Sequence, residues 1–164
     1  MKRFLFVFIV LFSAAAYAQE NGVLDIYDRE IIATCMVLEA GGEGSEGMRA
    51  VLNVILHRAK SDWSCMVPVI VKPGAFSCMS SLWNTEELDY SPLLIQAQSQ
   101  SEPYTEAMNL IATMEQGLLT DNTAGATHYH ADYVTPCWIS NMRYLTTIGG
   151  HHFYVELSQQ VALL

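Results

Sequence analysis

Apolar residues recur at helical spacing through most of the first two thirds of the chain. Ile32, Cys35, Met36 and Glu39 fall at i, i+3, i+4 and i+7, so a helix over about residues 28–40 sets one carboxyl on the face its neighbours bury. Asp25 or Asp28 can cap that helix, and acidic groups near its start suit the helix dipole. Gly41, Gly42 and Gly44 then break the pattern. Ser45 can cap a second helix to about Lys60, with Met48, Val51, Leu52, Ile55 and Ala59 as its core stripe. From Ser61 to Asp89 the period fails. Pro68, Pro73 and Gly74 punctuate that stretch, and residues 67–71 read as a strand or a buried loop. Ser91-Pro92 reads as an N-cap followed by a first-turn proline. A further helix after Ser101 carries Ala107, Leu110, Ile111, Met114 and Leu118, and Gly117 weakens its end. Alternation at Thr127, Tyr129 and Ala131, and the run His152 to Val155, predict short strands. The pattern as a whole predicts a mainly helical α+β domain with a few short strands.

The first residues have a different character. Lys2 and Arg3 form a basic start, and Phe4 to Ala15 is apolar but too short to span a membrane as a helix. Ala16-Tyr17-Ala18 resembles a cleavage site, so residues 1–18 read as a secretory signal peptide, with an uncleaved anchor as the alternative. Residues 19–164 remain as a single domain with its core at about 28–155. The expectation is an exported protein, periplasmic or at the cell wall, with no stable membrane anchor once the signal is removed. Losing Lys2 and Arg3 takes the formal net charge from −9 to −11. Such an acidic chain is a poor nucleic-acid binder, because that binding is driven by basic groups releasing counterions. A partner is then recognised by shape, stacking and hydrogen bonds.

Cys35, Cys65, Cys78 and Cys137 follow the leader. An even count in an exported protein suggests two disulfides. Three connectivities exist; the favoured one is Cys65 with Cys78, closing a short loop, and Cys35 with Cys137. The alternative is Cys35 as a buried free thiol on the apolar stripe. A four-cysteine zinc site is disfavoured because no C-x-x-C pair occurs.

Glu39 is the candidate for chemistry. A Glu near a helix end is ordinarily a solvated group, with the glycines marking only a cap and turn. Here its apolar neighbours would desolvate it and the negative helix end would oppose ionisation. A carboxyl kept protonated near neutral pH is what a glycosidase needs as its general acid.

Five segments, in order, resemble a known group: Glu39-Ala40-Gly41-Gly42-Glu43-Gly44; Val51 to Arg58; Lys72-Pro73-Gly74-Ala75-Phe76-Ser77-Cys78; Gly125-Ala126-Thr127-His128-Tyr129-His130; and Thr147 to Tyr154. Together they look like the cell-wall hydrolases related to the spore-cortex-lytic enzyme SleB, over about Asp28 to Tyr154. The resemblance implies a compact lysozyme-like or lytic-transglycosylase-like domain that needs no cofactor or metal. Its substrate would be the glycan strands of peptidoglycan. The family's catalytic acid carries over to Glu39. Leu38 stands where a small residue is usual, and Tyr129-His130-Ala131-Asp132 stands where a Tyr-Tyr-Asn-type run is common. A lytic transglycosylase forming 1,6-anhydro-muramic ends is the favoured activity, and a hydrolytic muramidase the alternative, with Glu43 or Glu46 nearby as a second carboxylate.

Phe76, Tyr129, Tyr133 and Trp138 are candidates for saccharide contact, because aromatic rings offer flat apolar faces. Ser77, Thr127 and His130 can orient N-acetyl or hydroxyl groups, and Glu43 is a further candidate. Phe153 and Tyr154 read as core. The main rival is a zinc amidase or peptidase built on His128, His130 and Asp132, with His151-His152 behind them, but no His-Glu-x-x-His helix is present. A serine or cysteine hydrolase lacks a nucleophile elbow. A non-enzymatic wall-binding module is the remaining class. The short chain leaves room for a wall-targeting or regulatory protein partner.

Overall fold

A computed structural model describes residues 24–84 and 88–157. The expected signal peptide lies outside the described residues. Helix α1 (Ile26–Ala40) is the axis of the molecule. Asp25 caps it, its side chain accepting from the Asp28 amide at 2.8 Å. The run from Ile31 to Val37 is buried on every side, because a helix apolar all round must be covered all round. It packs against α2 (Gly44–Arg58), α3 (Met66–Ile70), α4 (Ser91–Gln98) and α5 (Ser101–Glu115). Arg29 on α1 pairs with Glu115 on α5 at 2.8 Å.

Several local expectations give way to tertiary packing. The valine-rich segment from Val67 is neither strand nor loop. Met66 and Ile70, four apart, are fully buried and make α3 a single helical turn, a case of burial overriding β-propensity. Ser45 does not cap α2. The cap position is Glu43, and the Ser45 hydroxyl donates to Glu106 at 2.6 Å. Ser91 is the first residue of α4, not its cap, and its amide donates to Asp89 at 2.9 Å. On α5 the stripe holds through Met114, but Gly117 (φ +70°) ends the helix, and Leu118 beyond it is 66% exposed.

The last third forms an antiparallel sheet in the order β1-β3-β2, from β1 (His128–Ala131), β2 (Met142–Ile148) and β3 (His151–Glu156). Strands β1 and β3 match the alternation in the sequence; β2 was not foreseen. Tyr129 pairs with Phe153, and Ile148 with His151 across the two-residue turn Gly149-Gly150. The sheet rests on the second face of α2, where Ala50 and Val54 meet Ala126 and Phe153 in a small cluster of their own. Helix α2 therefore has two buried faces, more than the single stripe its spacing suggested. The result is the mainly helical α+β architecture expected, with the helical core on one side of α2 and the sheet on the other.

Candidate active site

Two structural seams meet at the C-terminal end of α1. Glu39 is half-buried in the last turn of that helix. Its Oε1 accepts from the Ser77 hydroxyl at 3.0 Å and the Cys78 amide at 2.8 Å. Its Oε2 accepts from the Tyr129 hydroxyl at 2.8 Å. The first two donors come from the 3-10 segment Ser77–Asn84 and the third from β1. Burial, and next the charge of Glu39, push the Tyr129 phenol well above its usual range, so it stays a neutral donor.

Glu43 holds the sheet to the helices. Its Oε1 accepts from the Gly150 amide at 3.0 Å and pairs with His151 Nδ1 at 2.8 Å. Gly47 and Gly149 wall it in. A Cβ on Gly149 would lie 2.5 Å from Glu43 Oε2, and one on Gly47 would lie 2.5 Å from Glu43 Cβ. Both positions need glycine for space, and Gly149 also has φ +56°. Tyr129 meets His151 edge-on at 5.2 Å between ring centres, which joins the Glu39 and Glu43 networks into one wall.

These residues line an open groove of about 630 Å³. Glu39, Glu43, Arg58, Phe76, Ser77, Tyr129, His130, Asp132, Tyr133 and His151 face it. A second cavity, between α1 and α4, holds only about 40 Å³, scarcely more than one water's share of liquid.

The sequence candidates divide accordingly. Glu39, Glu43, Phe76, Ser77, Tyr129, His130 and Tyr133 come together at the groove. Phe76 is buried and Tyr133 is 88% exposed, so one is floor and the other rim. Thr127 and Trp138 do not line the groove. The Thr127 hydroxyl meets His128 Nδ1 at 3.0 Å, and Trp138 packs among His128, His130 and Tyr154 on the sheet. Residue type alone suggested both; Trp138 lies on the 3-10 turn Cys137–Asn141 and Thr127 just before β1. Glu46 is exposed and bound to Arg49 and Asn122, away from the groove. Tyr154 is buried as expected, but its hydroxyl meets His130 Nε2 at 3.0 Å.

Arg58 and His151 were missed as groove residues. Arg58 sits over Phe76, 4.8 Å from the ring centre, and donates to Ala75 O at 2.9 Å and Thr127 O at 2.6 Å. Burial lowers its pKa from the usual arginine value. It ties the Phe76 turn to the entry of β1. A cation ending an apolar stripe was the available signal. His57 and Asn53, on the same helix, fix the loop before β1 through Ala126 O at 2.8 Å and Thr120 O at 3.1 Å.

The expected disulfides are not formed. All four cysteines are free. Cys65 is exposed and its thiol donates to Asp62 at 3.5 Å; Cys137 is exposed on a 3-10 turn. Cys35 is buried in the main core, against which Cys78 packs. Loop length favoured Cys65 with Cys78, but the turn at Trp63–Cys65 and α3 aim Cys65 elsewhere. Among the described residues no three of His, Cys, Asp and Glu converge as a metal would require. His130 has both ring nitrogens engaged, by Ala131 O at 2.8 Å and by Tyr154.

A family profile described as Cell Wall Hydrolase matches residues 42–154. The chain belongs to the cell wall hydrolase family. The matched span takes in Glu43, Phe76, Tyr129 and the Gly149-Gly150-His151 turn, and begins three residues after Glu39. Among solved structures, this cell wall hydrolase is similar to the catalytic domain of the Bacillus cereus SleB protein. They are 23% identical with a TM-score of 0.55, over 82% of this chain and 94% of that one. It is also similar to the catalytic domain of the germination-specific lytic transglycosylase SleB from Bacillus anthracis. There the identity is 23% and the TM-score 0.54, over 80% and 97% of the two chains. The shared fold is the compact lysozyme-like one. No curated protein matches significantly. No helix among the described residues is long and apolar enough to cross a membrane.

Proposed function

We propose that the chain is an exported peptidoglycan lytic transglycosylase with Glu39 as its general acid and base. The observation that carries this reading is a single carboxyl at the groove floor, held by three donors from two separate segments. The two oxygens of Glu39 are not equivalent. Oε1 receives a fixed backbone amide as well as the Ser77 hydroxyl, whereas among the described residues Oε2 receives only the Tyr129 hydroxyl. An amide hydrogen cannot be turned away, but a phenolic hydroxyl can rotate to accept. The acid proton therefore belongs on Oε2, which is the atom that would meet the glycosidic oxygen.

The reaction follows from that assignment. Oε2 gives its proton to the leaving oxygen as the bond to the anomeric carbon of N-acetylmuramic acid breaks. The resulting carboxylate stands beside the oxocarbenium-like centre. It then removes the proton of the same sugar's C6 hydroxyl as that oxygen attacks the anomeric carbon, which restores the acid and leaves a 1,6-anhydro end. Phe76 and Tyr129 offer apolar ring surface at the floor, and Tyr133, Asp132 and His130 border the groove. Glu43 is committed to Gly150 and His151, which favours attack by an intramolecular hydroxyl over water activated by a second carboxylate. The description of the Bacillus anthracis SleB domain as a lytic transglycosylase supports the same choice.

Purified peptidoglycan and mass analysis of the soluble products test it. Anhydro-muramic ends, lost in Glu39→Gln, are expected. Reducing ends would make the protein a muramidase, and unimpaired lysis by Glu39→Gln would overturn the Glu39 assignment. Lysis abolished by EDTA and restored by zinc would return the histidine-based reading.

A further inference from the structure

Cys35 and Cys78 have no part in the chemistry above, yet they stand directly behind it. Cys35 lies one turn before Glu39 on α1 and is fully buried. Cys78 packs against the buried cluster that contains Cys35, and its nearby thiol helps to raise the Cys35 pKa. Cys78 is half-buried, packs on the main core, and gives its backbone amide to Glu39 Oε1 at 2.8 Å. Helix α1 packs directly against the segment that carries Ser77 and Cys78. One cysteine thus stands on the helix that bears the carboxyl and the other on the turn that holds it. Cys65 and Cys137 are exposed and engaged elsewhere or not at all with this pair.

We propose that Cys35 and Cys78 are a dithiol pair that low-molecular-weight disulfides oxidise to an intramolecular disulfide, clamping the Ser77-Cys78 turn onto α1 behind Glu39. The half-buried Cys78 reacts first. Its thiolate attacks one sulfur of the donor, which releases one thiol and leaves a mixed disulfide on Cys78. Cys35 then loses its proton and attacks the Cys78 sulfur, releasing the second thiol as the Cys35–Cys78 bond forms. The protein's two thiols lose two electrons and two protons, and the donor disulfide gains both. Burial, and next the neighbouring Cys78, push the Cys35 thiol well above its ordinary range. The closing step should therefore quicken by about tenfold per pH unit, in proportion to the thiolate fraction.

The bond would cross-link positions far apart in sequence and remove conformations from the unfolded chain. It would also restrict the one donor to Glu39 that cannot rotate. The inference does not depend on the glycosidase reading, because its readouts are mass, melting temperature and amide exchange.

The test uses the purified protein in a Cys65→Ser/Cys137→Ser background, with glutathione disulfide as oxidant. Non-reducing digestion should yield a peptide joining Cys35 to Cys78, two hydrogens lighter than its reduced halves. Tm should rise by roughly 5 °C or more and fall back on adding dithiothreitol. Exchange of the Cys78 amide should slow about tenfold. A further Cys78→Ala change should abolish the Tm response, and the four-cysteine protein should give the same linked peptide. The proposal is overturned if both thiols remain alkylatable after denaturation. It also fails if glutathione stays on Cys78, or if the bond forms only with a fall in Tm.

Discussion

Each oxygen of Glu39 has its own environment, and single-atom changes separate them. Glu39→Gln preserves size and most hydrogen bonding, so the fold should stay within a degree or two of its Tm. Lysis should fall by about 10³-fold or more, read as turbidity loss of purified walls. Tyr129→Phe removes the only donor to Oε2 among the described residues. It should lower the lytic rate by roughly ten- to a hundredfold through kcat rather than KM if, as proposed, the hydroxyl orients the acid and does not hold the sugar. Gly149→Ala would force a methyl to 2.5 Å from the Glu43 carboxyl at a residue with φ +56°. A loss of about 2–3 kcal/mol in denaturant unfolding is the expected cost.

The elements explain how much the sequence disclosed. Helix α1 was legible because its apolar spacing and its glycine exit agree, and α2 and α5 for the same reason. Residues 66–70 and strand β2 were not. The first is one turn stabilised by two buried side chains, and the burial of β2 carries no clean alternation, its pairing with β3 broken by an irregularity at Leu145. At the site, Glu39 could be found because one short motif places it. Its partners Ser77 and Tyr129 were named as sugar contacts, but that they hold Glu39 depends on the groove's two walls closing together. Trp138 and Thr127 lie outside the groove lining, on a 3-10 turn and just before β1, because residue type does not say where such connecting segments fold. The join between the walls is testable. Phe153 is 1% exposed and anchors the sheet to Ala50 and Val54 of α2. Phe153→Ala should cost about 3–5 kcal/mol in unfolding free energy.

At the scale of the whole molecule, acid should weaken the fold in two stages. Burial, and then Arg58, lower the His128 pKa. The unfolded chain therefore takes up that proton first, and the stability His128 confers is present above about pH 6.5 and lost as pH falls towards the depressed folded value. Asp121 follows at lower pH. Burial pushes its carboxyl up, but hydrogen bonds from Thr123 and Gly125 outweigh this and leave it below the ordinary range. Its contribution is present above about pH 3.9 and is lost as pH falls through the folded value. Chemical unfolding between pH 7.5 and 5 should show the first decline, and His128→Asn should flatten it. The division of the groove into packed floor and open lip has a further consequence. Tyr133, 88% exposed, stands where replacement disturbs little of the frame. Changes at the lip can therefore alter which wall chemistry is preferred at little cost to the fold, whereas changes to the packed floor around Glu39 disturb the frame itself.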